Sequence, residues 1–214
     1  MMIYLAGLVG FLLALTAEAR VGDSSNVPFC SETEQCLLFN ETCKTECFEV
    51  RHYDSAKLVS ATERSWTMWM ALMRSFRRLY AYISGDNEDG VRVQMVSPVI
   101  IKMENKTTFT KEYTMSFVLP AEHQANAPKP ADDDVIIEEL TDVTVYVKTF
   151  GGWMNGWSIN RNVGSLSSCL KSAGAKFNEE YYYVTGYNSP MTTKNRHNEV
   201  WFVAVGEPKC SSKN

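Results

Sequence analysis

The chain has 214 residues, 45% of them hydrophobic, and a formal net charge of −4 from 21 Lys and Arg against 25 Asp and Glu. That length supports one domain with a sizeable core. The mildly acidic balance excludes the broad basic surface that a polyanion such as nucleic acid requires.

Residues 1–19 differ from the rest. Leu5 to Leu15 is nearly all apolar, too short to span a bilayer, and Ala17-Glu18-Ala19 offers the small-x-small pattern of a cleavage site. The reading is a removable secretory leader and an extracellular protein. No later run is long enough to cross a membrane. Six cysteines follow: Cys30, Cys36, Cys43, Cys47, Cys169 and Cys210. An even number in an exported chain predicts disulfides. The expected pattern is two local bridges within the first four and a third from Cys169 to Cys210. Sequons at Asn40 and Asn105 predict glycosylation in loops.

Residues 20–47 read as an irregular, disulfide-tied arm, and Phe48 to Ala61 as extended chain. Trp66 to Ser84 reads as a helix stopped at Gly85. Its apolar residues Trp66, Trp69, Met70, Met73, Phe76, Tyr80 and Ile83 fall at helical spacing, with Arg74, Arg77 and Arg78 opposite. Val91 to Met103 is strand-like, with Pro98 demanding an edge or a break. Tyr113 to Leu119 is a further strand. Pro120 to Asp134 is a polar loop ending in three aspartates, which lack the spaced ligands of a calcium loop. Val135 to Leu140 and Thr144 to Phe150 are strands. Ile159, Val163, Leu166 and Leu170 mark a second amphipathic helix over 157–173, stopped by Gly174. Tyr181 to Tyr187 and Glu199 to Val205 are the last strands. Each half runs strand, helix, strand, strand, and each carries a Ser-Pro after its helix, at Ser97 and Ser189. The expected fold is α+β: two βαββ-type repeats forming a curved antiparallel sheet or distorted barrel, with two helices packed on it.

Particular motifs carry a family resemblance: Phe48-Glu49-Val50-Arg51-His52-Tyr53, Tyr82-Ile83-Ser84-Gly85-Asp86-Asn87, Leu119-Pro120-Ala121-Glu122-His123-Gln124 and Pro128-Lys129-Pro130. Asp134-Val135-Ile136-Ile137-Glu138-Glu139, Tyr146-Val147-Lys148-Thr149-Phe150-Gly151-Gly152, Gly186-Tyr187-Asn188-Ser189-Pro190 and Asn198-Glu199-Val200-Trp201 complete the series. In this order, over residues 48–206, the chain resembles the SOUL haem-binding proteins. The resemblance implies a two-repeat α+β barrel that binds haem or related porphyrins reversibly and without a covalent bond. No Cys-x-x-Cys-His run is present for c-type attachment, so the implied cofactor is b-type haem. By resemblance His52 is the candidate ligand to the iron, and Met73, Phe76 and Tyr80 are candidate pocket wall, leaving Trp66, Trp69 and Met70 to the core. Where relatives set lysines near the propionates this chain has Ala81 and Thr192, so Arg77, Arg78 and Lys194 are the substitute cations. The cysteine arm lies outside that resemblance, as does the tail, 207–214.

The expected function is therefore a secreted haem or porphyrin carrier or scavenger. The alternatives are an extracellular binder of another small amphipathic molecule, or a protein-interaction module built on the arm with partners unknown. No nucleophile elbow, phosphate loop or His-Glu-x-x-His helix appears, and His52, His123 and His197 have no recognisable acid–base spacing, so the expectation is not an enzyme.

Overall fold

The computed structural model describes residues 20–105 and 109–210. The expected leader, residues 1–19, lies outside the described residues, as do Lys106 and Thr107 of the second sequon. Among the described residues no helix is long and apolar enough to cross a membrane.

The arm is not irregular. It forms β1 (Val21–Asp23), β2 (Gln35–Leu37) and β3 (Asn40–Lys44). These strands are only three to five residues long, too short for alternation to declare them. Next come β4 (Glu49–Tyr53), β5 (Ala56–Ser65), α1 (Met68–Ile83), β6 (Val96–Ser97), β7 (Val99–Glu104) and β8 (Lys111–Val118). The chain continues through the short helix α2 (Ala121–Gln124), β9 (Val135–Leu140), β10 (Val143–Phe150), α3 (Gly156–Ser172), β11 (Tyr181–Gly186) and β12 (Asn198–Val203).

Nine strands form one curled antiparallel sheet in the order β3-β4-β10-β12-β11-β7-β8-β5-β9. A smaller sheet, β1-β2-β6, is joined to it in sequence through Pro98. The Pro within the expected strand acts as a break: residues before it pair with β2, and residues after it pair with β8 and β11. A Pro has no N–H to give a ladder, so the chain changes sheets there.

Alternation puts opposite sets of side chains on the two faces of the large sheet. One face, with Val59, Phe117, Tyr146 and Phe202, packs against Leu79 of α1 and Leu166 and Leu170 of α3. The other, with Tyr53, Leu58, Ile100, Val145, Val147 and Trp201, is covered by Val21, Leu37 and Val96 of the small sheet. Helix α3 begins in a capping box made by Asn155 and Ser158 and stops at Gly174, whose φ of +63° suits glycine. Its apolar face is the expected one, with Ile159, Leu166 and Leu170 buried.

Helix α1 lies differently from its apolar pattern. Its buried residues are Ala71, Ser75, Leu79, Tyr82 and Ile83. Trp66, Trp69 and Met70, expected in the core, are 73%, 71% and 49% exposed. Two small residues set the contact: Ala71 and Ser75 let the helix backbone approach β5 and β8, which leaves Trp69, Met70 and Tyr80 turned outward while Phe76 stays against the sheet.

The disulfides also depart from expectation. Cys30 pairs locally with Cys36, but Cys43 pairs with Cys210 and Cys47 with Cys169. The expected Cys169–Cys210 bridge does not form. Strand β3 runs along β4 at the sheet edge, bringing Cys43 to the C-terminal segment and Cys47 to the end of α3. Asn40 opens β3 rather than lying in a loop, while Asn105 follows β7, and both are exposed.

Candidate functional site

A cavity of about 270 Å³ opens beside α1. Phe76, Tyr80 and Ile83 line one side, Met95, Val96 and Val99 another, and Gly186 to Pro190 a third. Glu32 and Thr33 of the arm complete the rim. The rings of Phe76 and Tyr80 stack with centroids 5.8 Å apart and 17° between planes, and Phe76 meets Phe117 edge-on beneath. The C-terminal part of the expected apolar stripe thus lines the cavity: Tyr80 is 56% exposed, as a residue at an open mouth is.

One rim is polar. The loop after β11 aims the Asn188 Nδ2, the Ser189 N–H and the Thr192 hydroxyl at the carboxylate of Glu32, at 2.9, 2.5 and 2.7 Å. Arg196 donates to the carbonyls of Asn188, Ser189 and Thr192 and holds this loop in shape. Burial acts against the Glu32 charge, but these hydrogen bonds and the charge of Arg196 outweigh it, so the carboxyl lies below its ordinary range.

Behind Tyr187 lies a buried polar network. Glu199, fully buried, accepts from Arg51 at 2.8 Å, Trp201 Nε1 at 2.7 Å and the Tyr187 hydroxyl at 3.0 Å, and His197 Nε2 lies 2.7 Å away. Arg51 also donates to Glu49 and stacks over Phe39. Burial favours a neutral Glu199, yet His197, Arg51 and Trp201 overcome it and hold the carboxyl below the usual range. Burial and the nearby Glu199 charge push the Tyr187 hydroxyl well up, so it serves the network as a neutral donor. Phe29 of the arm stacks on His197, with centroids 3.9 Å apart, and meets Tyr187 edge-on. The arm therefore seals the network and reaches the rim of the cavity.

The expected site residues are only partly gathered here. Phe76 and Tyr80 line the cavity; Met73, one turn earlier, does not. Arg78 is occupied by Glu63, Asp132 and Asp134. Arg77 and Lys194 are exposed and neither lines the cavity. His52 is elsewhere, on β4: its Nδ1 lies 3.1 Å from the Thr144 hydroxyl, and its Nε2 lies 3.1 Å from Asp142 and 3.5 Å from Asp54. The residues missed from sequence are Glu32 and Arg196. Neither sits in a recognisable spacing, and both reach the rim only through folding.

A second cavity of about 190 Å³ lies near the N-terminal ends of both helices, where Trp66, Met68, Phe109, Gly156 and Ile159 meet.

Residues 34–203 match the family model described as SOUL heme-binding protein. The chain is 36% identical to Heme-binding protein 2 of Homo sapiens over 163 residues, 75% of this chain and 80% of that one. It is 32% identical to Heme-binding protein 1 of Xenopus laevis over 158 residues, 73% and 83% of the respective chains. Among solved structures, the EcmrR C-terminal domain superposes with a TM-score of 0.57 at 6% identity, covering 78% of this chain and 98% of that one. A hydrolase from Listeria innocua gives 0.51 at 10% identity, covering 76% and 94%. These two likenesses are of fold alone. On the family match and the relatives together, the chain belongs to the SOUL heme-binding protein family.

Proposed function

We propose that this protein binds haem or a related porphyrin reversibly in the cavity beside α1, as an exported carrier or scavenger and not as an enzyme. The observation that carries the reading is the pairing of a stacked aromatic wall, Phe76 and Tyr80, with a rim of hydrogen-bond donors that already holds a carboxylate. A porphyrin has the same two characters, a flat apolar face and carboxylate side arms. The named relatives at 36% and 32% identity support the ligand class. Six cysteines, all paired, support the exported location.

The residues present fit such a ligand in part. Small-molecule sites commonly enclose about 300–1,000 Å³, so a cavity of about 270 Å³ seats one face and edge of a macrocycle and leaves the rest to solvent. Among the described residues no histidine lines it; Tyr80, Met95 and Tyr187 are the lining residues of types that can ligate haem iron, and the Tyr187 hydroxyl is already committed to Glu199. The macrocycle itself would supply the iron's redox and ligand chemistry. The chain supplies the apolar wall and the donors that orient the carboxylates.

The test is a hemin titration of the disulfide-intact protein. A saturable shift of the Soret band is expected, weakened by Tyr80→Ala. Absence of any saturable shift would end the reading. Recovery of the protein from the medium of expressing cells, with residues 1–19 removed, tests the location.

A further inference from the structure

The Cys30–Cys36 bridge closes a short loop whose tip carries Glu32. That loop is fixed at its base, where Phe29 packs on His197 and Tyr187. Its tip is exposed, yet the Glu32 carboxylate takes both the Asn188 Nδ2 and the Thr192 hydroxyl on one oxygen and the Ser189 N–H on the other.

Two of these donors, the Asn188 amide and the Ser189 N–H, hold their aim independently of Glu32. The Asn188 amide is oriented by its own oxygen, which accepts from the His197 N–H at 2.7 Å. The 188–192 turn is fastened by Arg196 through three carbonyls and by the Thr192 N–H on the Ser189 carbonyl. A cradle built this way favours any carboxylate that reaches it, because preorganised donors beside a guanidinium gain little by pointing elsewhere. It opens onto the apolar cavity, since Asn188, Ser189 and Glu32 all line it.

We propose that Glu32 is a built-in competitor for the ligand's own carboxylate. The disulfide-closed loop straps the cavity in the free protein, and a carboxylate-bearing apolar ligand enters by exchanging its carboxylate for that of Glu32. This rests on the cavity being the ligand site. It makes the carboxylate a condition of entry and makes the arm a regulator of affinity. The exchange is of hydrogen bonds alone, with no covalent step.

The experiment is a fluorescence titration with protoporphyrin IX and with its dimethyl ester, in one buffer, against wild type, Glu32→Ala and Glu32→Ala combined with Thr192→Val. Removing the competitor should lower Kd for the diacid by about tenfold or more, the scale of a charged hydrogen bond no longer given up on binding. The ester should be little affected, and the Thr192→Val change should cancel part of the gain. Binding by Glu32→Ala where wild type shows none would also support the strap. Wild-type binding with an unchanged Kd for Glu32→Ala would overturn the strap and leave the porphyrin reading standing. An equal gain for diacid and ester would show simple unblocking and overturn the carboxylate exchange. No binding by any variant would overturn both.

Discussion

The Arg51 guanidinium and the Glu199 carboxylate lie 2.8 Å apart, with 2% and 0% of their side chains exposed. They are separated by 148 positions in sequence and lie on β4 and β12, which are not neighbours but flank β10 on either side. Removing one member of a buried pair leaves the other charge uncompensated, which costs about 3–5 kcal/mol. Arg51→Met should therefore lower the unfolding free energy by about that much in urea denaturation. Arg51→Met combined with Glu199→Leu should lose less than the single changes summed. Additive losses would mean that the two charges do not depend on each other.

The same carboxylate sets an acid limit. Glu199 is held below its ordinary value of 4.5 in the folded chain. A group depressed in this way contributes stability that is complete above 4.5 and is lost as pH falls through the lower folded-state value. Unfolding free energy should be insensitive to this group above that point and should fall on further acidification. Glu49, also held low against burial by Lys44 and Arg51, contributes in the same direction. Glu199→Gln should make the acid limb shallower without abolishing it, whatever its cost at neutral pH. An unchanged slope would remove Glu199 from the acid response.

Helix α1 offers a direct contrast between its two faces. Leu79 is fully buried against the sheet, whereas Trp69 is 71% exposed. Leu79→Ala should cost about 2–5 kcal/mol through lost burial and the cavity left behind. Trp69→Ala should change stability by about 0.5 kcal/mol or less, as for a surface position. Thermal and urea unfolding of the two variants would measure both. A large loss at Trp69 would show that its face is covered.

That contrast marks where the sequence was legible. The existence of α1, the stop at Gly85 and the buried face of α3 follow from local spacing and conformation. The orientation of α1 does not, because two stripes run along it. Size favours the aromatic stripe, and only the approach of the sheet reveals that Ala71 and Ser75 face it. Long-range joins are invisible for a related reason. Arg51 and Glu199 each sit in a family motif, but nothing local pairs them. Proximity in sequence favoured local bridges among the first four cysteines, whereas the β3 edge carries Cys43 and Cys47 to partners 167 and 122 residues away. Phe76 and Tyr80, singled out by resemblance, line the cavity beside α1. The contacts of Glu32 were not legible, since they depend on a loop that meets residue 189 only after folding.

His52, the ligand candidate by resemblance, stands apart from the α1 cavity. Both ring nitrogens have polar neighbours, Thr144 on one side and Asp142 with Asp54 on the other. The ring does not line the cavity that Phe76 and Tyr80 wall. Turning it to an iron atom there would require breaking these contacts and moving the β4–β10 pairing that places it opposite Thr144. His52→Ala should therefore leave the hemin Soret maximum in place and Kd nearly unchanged. Phe76→Ala removes apolar wall worth roughly 1.5–3 kcal/mol when fully covered, so it should weaken binding by about tenfold or more. The pair of titrations separates the two assignments. A Soret maximum displaced by His52→Ala, with Phe76→Ala silent, would move the ligand from the α1 cavity to His52 on β4.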